Sequence, residues 1–384
     1  MAGATAQAGW LFVLAAGVVG LILGSLVVRQ NLASAQVERK VPARARVGSE
    51  IPVRLSVTNS GGKRLPLMRV TDRFEALIES SVASERLGLG ESSHVEQVRS
   101  TLRRGRFEGG PVTLRAGSPF GFLSNSRTVE VESPLVVVPA WVELSSFPIL
   151  EPSSIPFDVL HERARTGAGE EYMGVREYRP GDPRRAVHWR STARAGRLVV
   201  REFEEEVASK VALVLAGTDA GHPPDSAFET LVSAAASIAI YAMQTGHPVE
   251  LSSYDVNGEA TRIDSPDRYS ALDWLAGIQP VDGAVDRLAA AALTRIGRRG
   301  TVVILAPTTG PVAARVPTAV RTVQSAGSRV IVIAARSSSW AATPGAEAAE
   351  EALMTELKRG RASVRLLNKG DDLTRGLLIV GGAA

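Results

Sequence analysis

The first apolar run is Gly9–Val28, GWLFVLAAGVVGLILGSLVV, twenty residues without a charge, ended by Arg29. At a helical rise of 1.5 Å per residue this makes about 30 Å, enough to cross a hydrocarbon core. Positive charge follows only on its C-terminal side, at Arg29, Arg39, Lys40, Arg44 and Arg46, which predicts a cytoplasmic body. No Lys or Arg precedes Trp10, so the segment lacks the basic start of a signal peptide and reads as a retained membrane helix.

From Val37 to Ala140 the pattern shortens to period two. Ile51–Val57 alternates, Asn59-Ser60-Gly61-Gly62 supplies a turn, and Leu67–Val70, Val112–Arg115 and Val129–Val138 read as further strands. Short strands between turns predict a β-sandwich of immunoglobulin type. Arg103-Arg104-Gly105-Arg106 reads as an exposed basic hairpin. Residues 141–206 form a connector, with Pro148, Pro152 and Pro156 favouring extended chain and Arg165–Gly169 reading as mobile.

Beyond Val207 the period changes again. Apolar strands are predicted at Val211–Leu215, Val249–Tyr254, Thr301–Ala306, Val330–Ala334 and Val364–Leu367. Helices fall between them at Ser226–Thr245, Tyr269–Ile278, Val285–Ile296, Val312–Gln324 and Ala346–Arg359. This alternation predicts a parallel sheet covered on both faces. The fold class expected is therefore α+β and multidomain: membrane helix 9–28, β-sandwich 37–140, connector 141–206 and an α/β domain 207–384.

Composition narrows the chemistry. Apolar residues make up 45% and charged residues 22%, as in a globular protein. The absence of cysteine removes disulfides, thiolate catalysis and cysteine-ligated metals. Val37–Ala140 holds 16 Lys/Arg against 11 Asp/Glu, whereas Val207–Ala384 balances 17 against 17, so neither carries the one-sided basic surface of a nucleic-acid binder. The five histidines form no HExxH, and there is no GxSxG elbow or phosphate loop.

The most informative stretch is Gly174–Glu206, GVREYRPGDPRRAVHWRSTARAGRLVVREFEEE. Eight arginines lie between Arg176 and Arg201, interleaved with Tyr178, His188 and Trp189 and closed by Glu202 and Glu204–Glu206. Pro180-Gly181-Asp182-Pro183 cannot continue a helix or a central strand and reads as a rigid turn. Extended chain is expected before it at Val175–Arg179, then a short helix at Ala186–Ala193 and a strand at Leu198–Phe203. The expected signature residues are Arg176, Tyr178, Pro180, Gly181, Asp182, Arg184, Trp189, Arg190 and Arg194. Asp182 is expected to be held by arginines and Trp189 to anchor the turn in a core between domains.

The run YRPGD, HWRSTAR and VVREFEEE resembles the signature of the bacterial domain-of-unknown-function 58 family, although members usually place an acid or amide where His188 stands. The resemblance implies a von Willebrand factor A-like C-terminal domain. It also implies partners: a MoxR-type AAA+ ATPase and a transglutaminase-like membrane protein. Relatives commonly have two adjacent membrane helices where this chain shows one. In von Willebrand A domains an Asp-x-Ser-x-Ser after the first strand holds a divalent cation. Here Leu215-Ala216-Gly217-Thr218-Asp219 lacks both serines, leaving Asp219, Thr218 and Thr308 as the best available oxygen set and no expected cofactor. The expectation is a membrane-anchored adaptor or assembly protein without catalysis of its own. The alternative is a hydrolytic or cation-dependent enzyme using the strand ends near Asp219.

Overall fold

The computed structural model describes residues 2–117, 124–148, 170–178, 187–205, 209–217, 226–265, 267–297, 300–341 and 344–378. It is a mixed α/β structure with several sheets. Helix α1 (Ala2–Ala33) leads through Ser34 directly into β1 (Ala35–Lys40). Its middle is apolar all round and open: Trp10, Leu11, Phe12 and Val13 are all exposed. Its last turn is not, because Leu32 is buried among the β strands.

Those strands form two sheets. One has the order β1-β3-β6, with β3 Glu50–Asn59 and β6 Ser92–Ser100. The other has the order β2-β8-β7-β4-β5, with β2 Arg44–Arg46, β4 Met68–Asp72, β5 Ser80–Ser84, β7 Gly105–Gly117 and β8 Ser124–Val138. Period-two alternation sends Ile51, Val53, Leu55 and Val57 inward from β3, against Leu135 and Val137 of β8 and against Val70, Val112 and Leu114. Between the sheets lies a buried ionic node. Arg39 donates to both oxygens of Asp72, at 3.2 and 2.5 Å, and to the carbonyls of Gly110 and Val131 at 3.1 and 3.3 Å. Arg99 pairs with the same carboxylate and donates to the Ile78 carbonyl.

The C-terminal half is built on one six-stranded sheet. Its order is β13-β12-β11-β14-β15-β16, spanning β11 Val211–Leu215, β12 Val249–Tyr254, β13 Ala260–Ser265, β14 Thr301–Pro307, β15 Arg329–Ala335 and β16 Ser363–Leu367. All pairings are parallel except β12–β13. Both faces are covered. Val211, Leu213 and Leu215 face α3 (Ala227–Gln244) and α4 (Arg268–Gly277), whereas Ala212 and Val214 face α5 (Val285–Ile296) and α6 (Gly310–Ser325). A strand buried on both sides needs no polar alternation, hence VALVL. α7 (Ala346–Arg359) and α8 (Leu373–Leu377) complete the fold. The edge strand β13 escaped the sequence reading because its alternation, ATRIDS, is mostly polar and exposed.

Among the described residues one helix is long and apolar enough to cross a membrane by composition: α3, which is mostly buried against the sheet; the apolar stretch within α1 is the shorter Gly9–Gly24. It is a core helix N-capped by Ser226, whose Oγ accepts from the Glu229 N–H at 3.3 Å.

Two expectations need correction. The start of the 141–206 connector is packed: Leu144 and Phe147 are buried in the α/β core, and the Val142 N–H donates to Ser237 Oγ of α3 at 3.0 Å. Nor is Arg103–Arg106 an exposed hairpin, because Arg104 is only 7% exposed. Its guanidinium reaches α4, where it donates to the Leu275 carbonyl at 3.1 Å and to the Ile278 carbonyl, and it pairs with Glu229 over the Phe228 ring. Those carbonyls belong to the helix C-terminus, which has no intrahelical donors for its last turn and carries partial negative charge. Gly105 follows with φ +154°, and a Cβ there would lie 3.0 Å from the Phe107 ring of its own strand. Around this contact Arg44 pairs with Asp273, Arg106 donates to the Asp273 carbonyl at 3.1 Å, and Arg46 stacks on Trp141.

Candidate functional site

The signature folds as a hairpin with a short helix folded against it. β9 (Glu170–Glu177) runs antiparallel to β10 (Val199–Glu205), with Val200 opposite Arg176 and Val199 opposite Glu177. The Tyr178 N–H extends the ladder to the Leu198 carbonyl at 3.0 Å, and the His188 N–H reaches the Val199 carbonyl at 2.8 Å. Helix α2 (Trp189–Ala195) sits between these strands in sequence. It ends at Gly196, whose φ of +66° is the left-handed conformation that closes many helices. Thr192 ties the helix to the strand: its hydroxyl accepts from the Val199 N–H at 3.1 Å.

His188 is the N-cap of α2. Its Nδ1 accepts from the Ser191 N–H at 3.3 Å and lies 2.7 Å from Ser191 Oγ. That is the work an Asp or Asn does at this position, taking one of the free N–H groups of the first turn. The departure at His188 therefore keeps the local function of the acid or amide it replaces.

Trp189 does not anchor the turn in a core. It is 68% exposed, and α2 buries none of its residues. Among the described residues of this stretch the buried apolar ones are Val187, Val199 and Val200, and a bridge joins Val187 to Val200. Two consecutive residues of β10 are thus both covered, while the Trp189 ring is left to solvent. Arg190 and Arg194, one helical turn apart, are also exposed, and Tyr178 is half-buried. Arg197 pairs with Glu177 at 3.2 Å on the surface. Pro180, Gly181, Asp182 and Arg184 lie outside the described residues, as does the Arg165–Gly169 stretch; Arg176 is placed by its backbone, in β9.

The second candidate lies at the carboxyl ends of the parallel strands, where open α/β sheets bind ligands. Thr218 and Asp219 are outside the described residues. Thr308, just past β14, is buried, and its hydroxyl is engaged: it donates to Glu350 Oε1 of α7 at 2.6 Å and accepts from the Ser337 N–H at 2.9 Å. Ser338 adds its N–H and hydroxyl to the same carboxylate at 2.9 and 2.8 Å, with Arg336 at 3.7 Å. Glu350 went unnoticed in the sequence because helix periodicity alone gives a lone Glu on an Ala- and Glu-rich helix no reason to be inside. Among the described residues no three His, Asp or Glu side chains gather where they could share an ion. An open cavity of about 540 Å³, lined by Leu293, Gly297 and Ser325–Ser328, lies at the opposite, amino ends of β14 and β15.

Burial works against the charged form of Glu350, but the Ser338 N–H, the Thr308 and Ser338 hydroxyls and Arg336 outweigh it and hold the carboxyl below its ordinary value of 4.5. A depressed value means stability that is present above that pH and is lost as pH falls through the folded-state value. Glu350→Gln is expected to cost about 1–3 kcal/mol at neutral pH, from the hydrogen bonds it weakens. Chemical denaturation of both proteins from pH 7 downward should show the gap closing below about pH 4.5; a constant gap would remove the carboxylate charge from the account.

The family model described as "Protein of unknown function DUF58" matches residues 174–336, from the signature through the strand β15, and supports that family for this chain. No curated protein matches it. Among solved structures, the chain is similar at 12% identity to an alkylpurine DNA glycosylase of Pseudomonas fluorescens bound to abasic-site DNA. That alignment has a TM-score of 0.14 and covers 28% of this chain and 35% of the glycosylase, about a third of its length. It is also similar at 11% identity to a GH20 exo-β-N-acetylglucosaminidase of Vibrio harveyi, with 87% and 82% of the chains covered and a TM-score of 0.22. Neither likeness carries an argument about fold or activity.

Proposed function

We propose that this chain is a membrane-anchored adaptor with no chemistry of its own, and that the signature helix is its docking surface. In this reading Gly9–Val28 within α1 spans the membrane and the body is cytoplasmic. The two β sheets form an immunoglobulin-like sandwich, and the six-stranded sheet with its helices is a von Willebrand A-like domain without a cation. The partners are a MoxR-type AAA+ ATPase, which binds the nucleotide, and a transglutaminase-like membrane protein, both implied by the family resemblance. The exposed, charge-free face of α1 supports the anchor, since about twenty apolar residues in water carry a large unfavourable area.

One observation carries the docking assignment: Trp189 stands open to solvent beside Arg190 and Arg194, on a helix that buries nothing. Tryptophan and arginine are the residue types that dominate binding energy when a partner desolvates them. A solvent-facing Trp contributes little to folding. Trp189→Ala and Arg190→Ala/Arg194→Ala are therefore expected to leave the folding stability unchanged to within about 0.5 kcal/mol. Each should reduce recovery of the ATPase on affinity purification from native membranes. A large loss of stability with undiminished recovery would return the signature to an internal structural role.

A further inference from the structure

The strand polarity divides the β-sheet body into two opposite ends. Ala35, where α1 gives way to β1, pairs with Asn59 at the end of β3. β4 starts at Met68 opposite the end of β5 at Ser84, and β6 starts at Ser92 opposite Thr58. The loops 60–67 and 85–91 therefore lie at the α1 end. The opposite end, with residues 41–49 and 101–104, is the one docked on α4.

At the α1 end the helix is fixed to the sheets. Leu32 is buried, and Arg127 of β8 donates to the carbonyls of Leu32, Ala33 and Ala35 at 2.8, 2.9 and 2.7 Å, capping the helix C-terminus. Ser60 donates its N–H and hydroxyl to the Ser34 carbonyl, so loop 60–67 is held against the junction. From Val28 to Ala33 the helix rises only about 8 Å. Two large apolar side chains stand exposed on these loops, Leu67 at 60% and Leu89 at 61%, with exposed Lys63, Arg64 and Arg86 around them. The acids of the same loops are Glu85 and Glu91, and Glu91 is turned onto the Gly88 N–H at 2.6 Å.

We propose that this end of the β body is a lipid-contacting platform: Leu67 and Leu89 insert at the headgroup level of an anionic membrane surface, and Lys63, Arg64 and Arg86 hold it there. The inference rests on the reading of α1 as a membrane helix. A rigid junction of about 8 Å brings these loops within a Debye length of the surface, where basic side chains are attracted by anionic lipid. Leucines flanked by cations are the combination that interfacial segments use.

The chain has no cysteine, so single reporters can be placed cleanly. The full-length protein would carry Leu89→Cys, Phe12→Cys or Val256→Cys, each labelled with an environment-sensitive fluorophore. Each would be reconstituted in nanodiscs of phosphatidylcholine with or without a third phosphatidylglycerol, containing nitroxide-bearing lipids as quenchers. The expected result is quenching at Phe12 in both discs, at Leu89 only in the anionic discs, and at neither for Val256 on the α/β body. Lys63→Gln and Arg86→Gln should each lower the Leu89 contact equilibrium about fivefold. Quenching at Phe12 with none at Leu89 overturns the platform while keeping the anchor, and leaves this end for a protein partner in the membrane. Equal quenching at Leu89 in both discs overturns its electrostatic basis. Absence of quenching at Phe12 overturns the membrane reading itself.

Discussion

Asp72→Ala is expected to destabilise the β body by about 3–5 kcal/mol, because it leaves two arginines inside without their carboxylate. Arg39 and Arg99 are both buried, and both converge on Asp72 from different strands of the first sheet while Asp72 sits on the second. Carbonyls of Gly110, Val131 and Ile78 satisfy the remaining donors but carry no full charge to offset them. Phe74 closes the node, with the Arg39 guanidinium 4.7 Å from its ring centre. The comparison that isolates burial is Arg54→Ala, which breaks the exposed Arg54–Glu96 pair and should cost no more than about 1 kcal/mol. Calorimetry on the full chain should show the lowest transition moved down by roughly 10 °C for Asp72→Ala, at about 2–4 °C per kcal/mol, and scarcely moved for Arg54→Ala. Equal shifts would mean that the node is hydrated in solution.

Elements with a strong period were legible in the sequence, and contacts across long separations were not. VALVL is apolar throughout because both of its faces are covered, so β11 could be read from five letters. The helix Val285–Ile296 was read to the residue, because its buried Val285, Leu288, Ala289, Ala292 and Ile296 keep a strict helical spacing. The arginines were misjudged for the opposite reason. A guanidinium is exposed or buried according to what waits for it, and the Leu275 and Ile278 carbonyls lie more than 170 residues from Arg104. Trp189 erred the other way. Large aromatics are usually inside, but on α2 the neighbouring valines of β10 take the buried positions. The compression of arginines, acids and aromatics in Gly174–Glu206 thus suggested a clamp between domains. Among the described residues, an inter-body contact is made by Arg44, Arg46, Arg104 and Arg106, while the Asp182 turn lies outside them.

Arg104→Ala is the sharpest test of how the two bodies are joined. The β body is held at each end by an arginine on a helix C-terminus: Arg127 on α1 and Arg104 on α4. Removing Arg104 strips a carboxylate, two carbonyls and the Phe228 ring of their shared partner. Glu229 is largely buried, so the loss is expected to reach about 3–5 kcal/mol, of the kind seen when one member of a buried pair is deleted. Glu229→Gln should cost less, because the amide oxygen still accepts from Arg104, and in the double variant the two losses should not add. The consequence for function separates this site from the node at Asp72. Arg104 holds no strand together, so its loss should loosen the α/β body from the β body while both remain folded. Hydrogen exchange should quicken at the Arg268–Gly277 helix terminus and along Trp141–Leu144, with β3 and β14 amides still protected. Uniform loss of protection would make the two bodies one cooperative unit, and the arginine clamp a part of its core rather than a joint.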